Sequence, residues 1–265
     1  MDELSCLFKN EHIYVIHKPY NVPFHSLDET QKHTQDRVHV EGIVSLAKKF
    51  LSDDVIYPVH RLDRMTSGLM IFARSKQANS ELSALFQNKS IEKYYLALSS
   101  QKPKKKQGSI IGDMSKSRSG SYLLKRSKNN PAITRFFSGK LSIGADGYWA
   151  YLLKPETGKT HQLRVALKSL GSPITGDERY SGAPASRGYL HAYRIRFKLF
   201  GKHYDIQDPF FFGEEFSLRD TQTDLNKRLS LSEDSNLPES NQLFNSEQLS
   251  RLEKLPWPKP SFLLD

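Results

Sequence analysis

The run His60-Arg61-Leu62-Asp63-Arg64-Met65-Thr66-Ser67-Gly68-Leu69-Met70-Ile71-Phe72-Ala73 sets one carboxylate between two arginines on a short polar turn. The turn feeds directly into an apolar stretch that reads as a buried strand. An aspartate in such a place serves either as an ion-paired turn residue or as a reactive group, and composition alone does not separate the two uses.

Working outward, His12–His17 is rich in β-branched and aromatic residues and stops at Pro19, as a strand does. Val22–Val40 is polar and irregular and reads as a surface loop. Ile43, Val44, Ala47, Phe50 and Leu51 have helical spacing, as do Leu82, Leu85 and Phe86 within Lys76–Asn88. Ile91–Leu98 follows as a strand. Residues 101–130 are rich in Lys, Arg, Ser and Gly, which fits either a solvated hairpin tip or a mobile basic arm that grips phosphates. Ala132–Phe137 and Tyr148–Leu153 bracket a turn at Gly144–Gly147. A helix is predicted from Thr160, with Thr160 as N-cap and Gly171 just past its end. Tyr189–Leu199 is a strand with Arg194, Arg196 and Lys198 on its polar face. From about Glu214 the chain turns polar, so residues 1–212 are expected to form one domain and 213–265 a polar extension. Strands and helices without strict alternation predict an α+β fold on a largely antiparallel sheet.

The 265 residues include 37% hydrophobic and 11% aromatic side chains, enough for a core. Lys plus Arg number 39 against 29 Asp plus Glu, a formal charge of +10 that suits a polyanionic partner. One cysteine, Cys6, allows no intrachain disulfide and no cysteine-based zinc cluster. The acidic start lacks a signal-peptide pattern, no stretch is long and apolar enough for a membrane span, and a cytoplasmic location is expected. The histidines show no metal-ligand spacing, so no metal is expected.

The opening run resembles the HRLDxxTSG signature of the RluA-type pseudouridine synthases at His60, Arg61, Leu62, Asp63, Thr66, Ser67 and Gly68. Other segments extend the resemblance over most of residues 10–212. Lys18-Pro19 is similar to the family's KPxG, with Asn21 in place of the glycine, a mild change because Asn tolerates left-handed backbone geometry. Lys93–Ala97 resembles KxYxA and aligns Tyr95 with the family's active-site tyrosine, leaving Tyr94 on the opposite face. Thr157–Ala166 resembles TGRTHQIRVH, with Lys159 for Arg and Ala166 for the last His, and Gly171–Asp177 resembles GxPIxGD. Lys159 keeps the charge but loses the bidentate fork. Leu190-His191-Ala192 matches the family's LHA strand.

The resemblance implies the pseudouridine synthase fold, a long curved mixed sheet with flanking helices and a central catalytic cleft. It implies an RNA pseudouridine synthase without metal or organic cofactor. Asp63 would then act as nucleophile or charge stabiliser while the glycosidic bond breaks, uracil rotates and a carbon–carbon bond forms at C5. Arg164 would pair with that carboxylate and keep it ionised. Tyr95 would stack on the flipped base and could accept the C5 proton. Arg61 would fill the stack the uridine vacates. His60, Arg64, Lys159, Thr160, His161 and Gln162 complete the expected RNA-binding set. The expected partner is a ribosomal or transfer RNA stem-loop, recognised by a monomeric catalytic domain with no separate N-terminal RNA-binding module and no obligate protein partner. Two competitors stand beside this reading: a catalytically silent RNA-binding relative, and an unrelated hydrolase, for which neither a second carboxylate nor clustered metal ligands are evident.

Overall fold

Ser67–Ala73 is buried along its whole length, and the two faces of this one strand organise the N-terminal half of the molecule. The computed structural model describes residues 3–30, 37–117, 120–141 and 147–208. The described chain begins with strands β1 (Ser5–Lys9), β2 (Ile13–Lys18), β3 (Leu27–Thr30) and β4 (Arg37–Val40), then helix α1 (Ile43–Leu51). Next come β5 (Tyr57–Pro58), β6 (Ser67–Ala73), helix α2 (Lys76–Gln87), β7 (Glu92–Ser99), β8 (Gln107–Gly112), β9 (Met114–Lys116) and β10 (Tyr122–Leu124). It continues through β11 (Ala132–Leu141), β12 (Tyr148–Pro155), helix α3 (Gln162–Ser169), a 3-10 turn (Glu178–Tyr180), β13 (Leu190–Leu199) and β14 (Lys202–Gln207).

A 10-stranded sheet runs in the order β1-β2-β6-β13-β7-β12-β11-β8, with β14 on β13 and β5 on β6. Its pairings are antiparallel except between β6 and β13, which run parallel from Ser67 opposite His191. The α+β, mostly antiparallel architecture is therefore as expected. Alternate residues of β6 enter different cores. Leu69, Ile71 and Ala73 pack with Ala78 and Leu82 of α2, while Met70 and Phe72 pack with Ile43 and Ala47 of α1. A third core joins β7, β11 and β12 to Leu163, Ala166 and Leu167 of α3. Each such fully buried large side chain contributes on the order of 1.5–3 kcal/mol. Ala166, where the family motif carries a histidine, is simply part of this apolar core.

Local signals explain most helix ends. Ser75 Oγ caps α2 by accepting from Ala78 N at 3.1 Å. After α3, Gly171 at φ +72 bonds back to Lys168 O, and Ser172 N to Leu167 O, which closes the helix as a Schellman motif. The predicted start of α3 is different. His161, at φ 57 and ψ 18, occupies the N-cap position without a side-chain cap, and Thr160 lies outside the helix. The Gln162 side chain instead ties the preceding turn together, accepting from Thr157 Oγ1 at 2.7 Å and Lys159 N at 3.0 Å.

Two polar segments are more ordered than their composition indicates. Leu27–Thr30 and Arg37–Val40 pair as the β3–β4 hairpin, not as irregular loop. Both of its faces are largely exposed, so no apolar alternation marks it. Within 101–130, β8 joins the edge of the main sheet and β9 pairs with β10. Asp113 further ties the segment down by accepting from Asn129 N and Asn130 N. The basic stretch is thus a folded hairpin, neither a simple tip nor a free arm. Most of the Gly144–Gly147 turn and the whole of the expected 213–265 extension lie outside the described residues.

Gly68 is the tightest point of the frame. Its φ is +105, and a Cβ there would lie 2.3 Å from Ala192 O on the neighbouring strand β13. Gly68→Ala is therefore predicted to destabilise the fold by roughly 2–4 kcal/mol, read as a lower urea midpoint; an unchanged midpoint would refute the close approach.

Candidate active site

The loop between β5 and β6 is held in place from several sides. Thr66 N bonds Asp63 O at 3.0 Å, closing a turn on Asp63 itself. The wholly buried Lys18 Nζ donates to Pro19 O, Arg64 O and Thr66 O, so a β2 lysine fastens the carbonyls on either side of Met65. His60 Nε2 accepts from Ile71 N at 3.0 Å, and its ring stacks on Phe86 with centroids 4.9 Å apart. Burial, helped by the nearby Lys93, pushes the His60 imidazole down to about 3, so it is a neutral acceptor at ordinary pH. Arg64 leaves the loop in the other direction, forking onto Glu29 of β3 and donating through Nε to Asn21. Asn21 has φ 60, the left-handed geometry that its place in the KPxG-like segment requires.

Behind the loop, Ser67 Oγ receives a bond from Arg187 Nη2 at 2.5 Å and lies 2.9 Å from His191 Nδ1. His191 Nε2 in turn lies 3.0 Å from Asp208 O, and Asp208 Oδ2 meets His17 Nδ1. This buried polar chain crosses β2, β6 and β13 beneath the turn.

In front of the loop is a cleft of about 520 Å³ that brings Asp63, Tyr95, Lys93, Glu156, His161 and Arg164 together. Asp63 is partly accessible, with 23% of its side chain exposed. Arg164 Nη1 lies 3.4 Å from Asp63 Oδ2, so the expected pair is present but long. The stronger partner is Asp177, whose side chain is 1% exposed. Its two oxygens accept from Arg164 Nε and Nη2, each at 2.7 Å. Burial weighs against the guanidinium charge, but the bonds to Asp177 and the field of Asp63 outweigh it and raise Arg164 above its ordinary value. Asp177 thereby aims the arginine, and the remaining Nη1 faces the Asp63 carboxylate. His161 Nε2 stands 4.0 Å from the same Asp63 oxygen.

Tyr95 lines the cleft from β7, opposite a bulge in β13 between Ala192 and Arg194. Burial, and then the Asp63 charge, push its hydroxyl well above the usual tyrosine range. It is a neutral phenol in the free protein, so its surroundings work against the expected role as base. Tyr94 points away into the core, 3% exposed, with its hydroxyl on Glu92. Arg61 is exposed at the cleft mouth, its guanidinium 5.5 Å from the centroid of the Phe24 ring. Lys159 and Thr160 line the cleft as expected, and Lys159 Nζ donates to Asn130 Oδ1.

Three of the expected RNA contacts are spent on structure. His60 is committed to Ile71, Arg64 to Glu29 and Asn21, and buried Gln162 also donates to Ile133 O and Thr134 Oγ1. Three others at the site carried no mark beyond the motif blocks: Asp177, Tyr180, whose ring lies under the Arg164 guanidinium, and Lys93, which burial holds below its ordinary value. Asp177 stood in the GxPIxGD-like block, but only the fold shows that it faces Arg164. Among the described residues, no group of three or more His, Cys, Asp or Glu is arranged to hold a metal ion. Arg164→Met should cost about 3–5 kcal/mol of stability, because Asp177 would be left buried and unpaired. Chemical unfolding checks this, and a loss under about 1 kcal/mol would show that the fork is not needed.

Comparison with known proteins points to one family. The profile described as RNA pseudouridylate synthase matches residues 12–169. An uncharacterized RNA pseudouridine synthase of Haemophilus influenzae is 44% identical over 197 residues, covering 74% of this chain and 82% of its own. A ribosomal large subunit pseudouridine synthase C of Rickettsia felis is 35% identical over 179 residues, covering 60% of this chain; the match spans only 55% of that relative's length. Among solved structures, human RNA pseudouridylate synthase domain containing 1 superposes with a TM-score of 0.64 at 23% identity, over 79% of this chain and 84% of that one. No described helix is long and apolar enough to cross a membrane. With its signature loop, its sheet and these relatives in agreement, the chain belongs to the RNA pseudouridylate synthase family.

Proposed function

We propose that this chain isomerises uridine to pseudouridine within a structured RNA, with Asp63 as the acting carboxylate. The observation that carries the reading is a partly accessible Asp63 at the wall of the cleft, facing one nitrogen of a guanidinium that a buried Asp177 holds in place. Such an anchored cation offsets part of the cost of holding a carboxylate where an inserted nucleotide excludes water. Acting as nucleophile, or stabilising charge while a ribose proton leaves, the carboxylate permits the glycosidic bond to break. The freed uracil turns against the Tyr95 ring and is rejoined to the sugar through C5; the proton on C5 is then lost and N1, which has given up the sugar, takes one up, so the composition is unchanged.

A uridine in a folded RNA must leave its stack to reach this depth, at a cost of a few kcal/mol. Arg61, exposed at the mouth and resting on Phe24, is the side chain we assign to the vacated position. Lys159 and Thr160 on the rim, with exposed Lys104, Lys105, Lys106, Lys125, Arg126 and Lys128, provide a basic surface for the surrounding phosphates. Ribosomal RNA is the favoured substrate class, since relatives from Rickettsia felis and Borreliella burgdorferi bear the name of ribosomal large subunit synthases. The chain to residue 212 would form the catalytic unit.

Mapping pseudouridine in total RNA from cells with and without the protein identifies the substrate. Asp63→Asn is then predicted to slow isomerisation by at least about a thousandfold while RNA affinity stays within about threefold. Isomerisation that survives the substitution would remove Asp63 from the chemistry. A wild-type protein that binds RNA and modifies none would establish the silent relative instead.

A further inference from the structure

His161 and Tyr180 sit between the catalytic carboxylate and the basic β9–β10 hairpin, and the bonds joining them have a direction. Tyr180 is 5% exposed and is fixed by a tight turn in which Tyr180 N and Gly182 N both bond Asp177 O. Its hydroxyl oxygen accepts from Tyr122 N of β10 at 3.0 Å and lies 2.9 Å from His161 Nδ1. The Tyr122 ring also meets the His161 ring edge-on, with centroids 5.6 Å apart. On the far side of the imidazole, Nε2 faces Asp63 Oδ2 at 4.0 Å.

These contacts select one tautomer. With Tyr122 N already donating to the Tyr180 oxygen, the acceptor shown for the Tyr180 proton is His161 Nδ1. The imidazole proton then resides on Nε2 and points toward a carboxylate. The opposite tautomer would turn a lone pair toward Asp63 and leave the buried Tyr180 proton without that acceptor, so it loses on both ends. Burial also draws His161 below its ordinary value, which keeps it the neutral donor this arrangement needs.

We propose that Tyr180 and His161 are positioning residues for Asp63, and that Tyr122 links them to the basic hairpin. The linkage rests on the isomerase reading above. His161 Nε2–H and Arg164 Nη1 face the same oxygen, Oδ2, and Oδ1 is the oxygen we assign to the substrate. Tyr180 serves both partners at once, since its ring also carries the Arg164 guanidinium at 4.9 Å. Exposed Lys116, Lys125 and Arg126 on and beside the hairpin supply the charges by which RNA docking would reach this relay.

Two measurements on the full chain test the proposal. Long-range proton–nitrogen NMR of the imidazoles, with His161→Gln to assign the signal, should show the Nε2–H form at neutral pH; the Nδ1–H form or an even mixture would overturn it. Tyr180→Phe keeps the ring on Arg164 and deletes only the hydroxyl. Its single-turnover rate on an unmodified large-subunit ribosomal RNA transcript should fall about tenfold, the effect of one modest hydrogen bond in the transition state, with affinity within about twofold. An unchanged rate, or a loss confined to affinity or thermal stability, would reduce Tyr180 to a prop for the hairpin and defeat the proposal. If wild-type protein itself fails to isomerise, the functional reading falls, and the tautomer measurement still judges the relay on its own.

Discussion

The buried fork between Arg164 and Asp177 is the constraint from which the site follows. A carboxylate 1% exposed is not tolerated without a cation, so Asp177 fixes the guanidinium in position and plane. Only one of its nitrogens is then left for the cleft. The 3.4 Å separation from Asp63 follows from this division, because the arginine serves Asp177 first and Asp63 second.

The rest of the frame keeps the other half of that encounter still. Lys18, His60 and Arg64 fasten the Asp63 loop to β2, β6 and β3 respectively, and the Ser67–His191–Asp208 chain supports it from beneath. β6 and β13 pair in parallel at their starts, where the loop enters, and the β13 bulge beside that pairing faces Tyr95. Loop, arginine and tyrosine thus come from separate elements locked to one sheet, as preorganised charge stabilisation requires.

Strong apolar periodicity made β6, α1, α2 and β13 legible, and Gly171 marked the end of α3 because a left-handed residue is needed there. Asp63, Tyr95 and Arg164 were identified through motif resemblance, and the fold brings them into one cleft. What stayed hidden has a common cause. The β3–β4 and β9–β10 hairpins have little apolar alternation, and their order comes from polar bonds such as Arg64–Glu29 and Tyr122–Tyr180. His60, Arg64 and Gln162 looked like RNA contacts because motif spacing places a residue near a site without saying which way its side chain turns. Asp177 and Tyr180 become site residues only when the turn after α3 folds back under Arg164.

If the fork governs the carboxylate, Asp177→Asn should loosen the arginine and disturb Asp63 without touching the surface that holds RNA. The direct measurement is the single-turnover rate of isomerisation on prebound RNA for this variant against wild type. The rate should fall at least about thirtyfold with binding essentially retained. A rate equal to wild type would contradict it, and would mean that Asp63 works without the cation Asp177 holds in place.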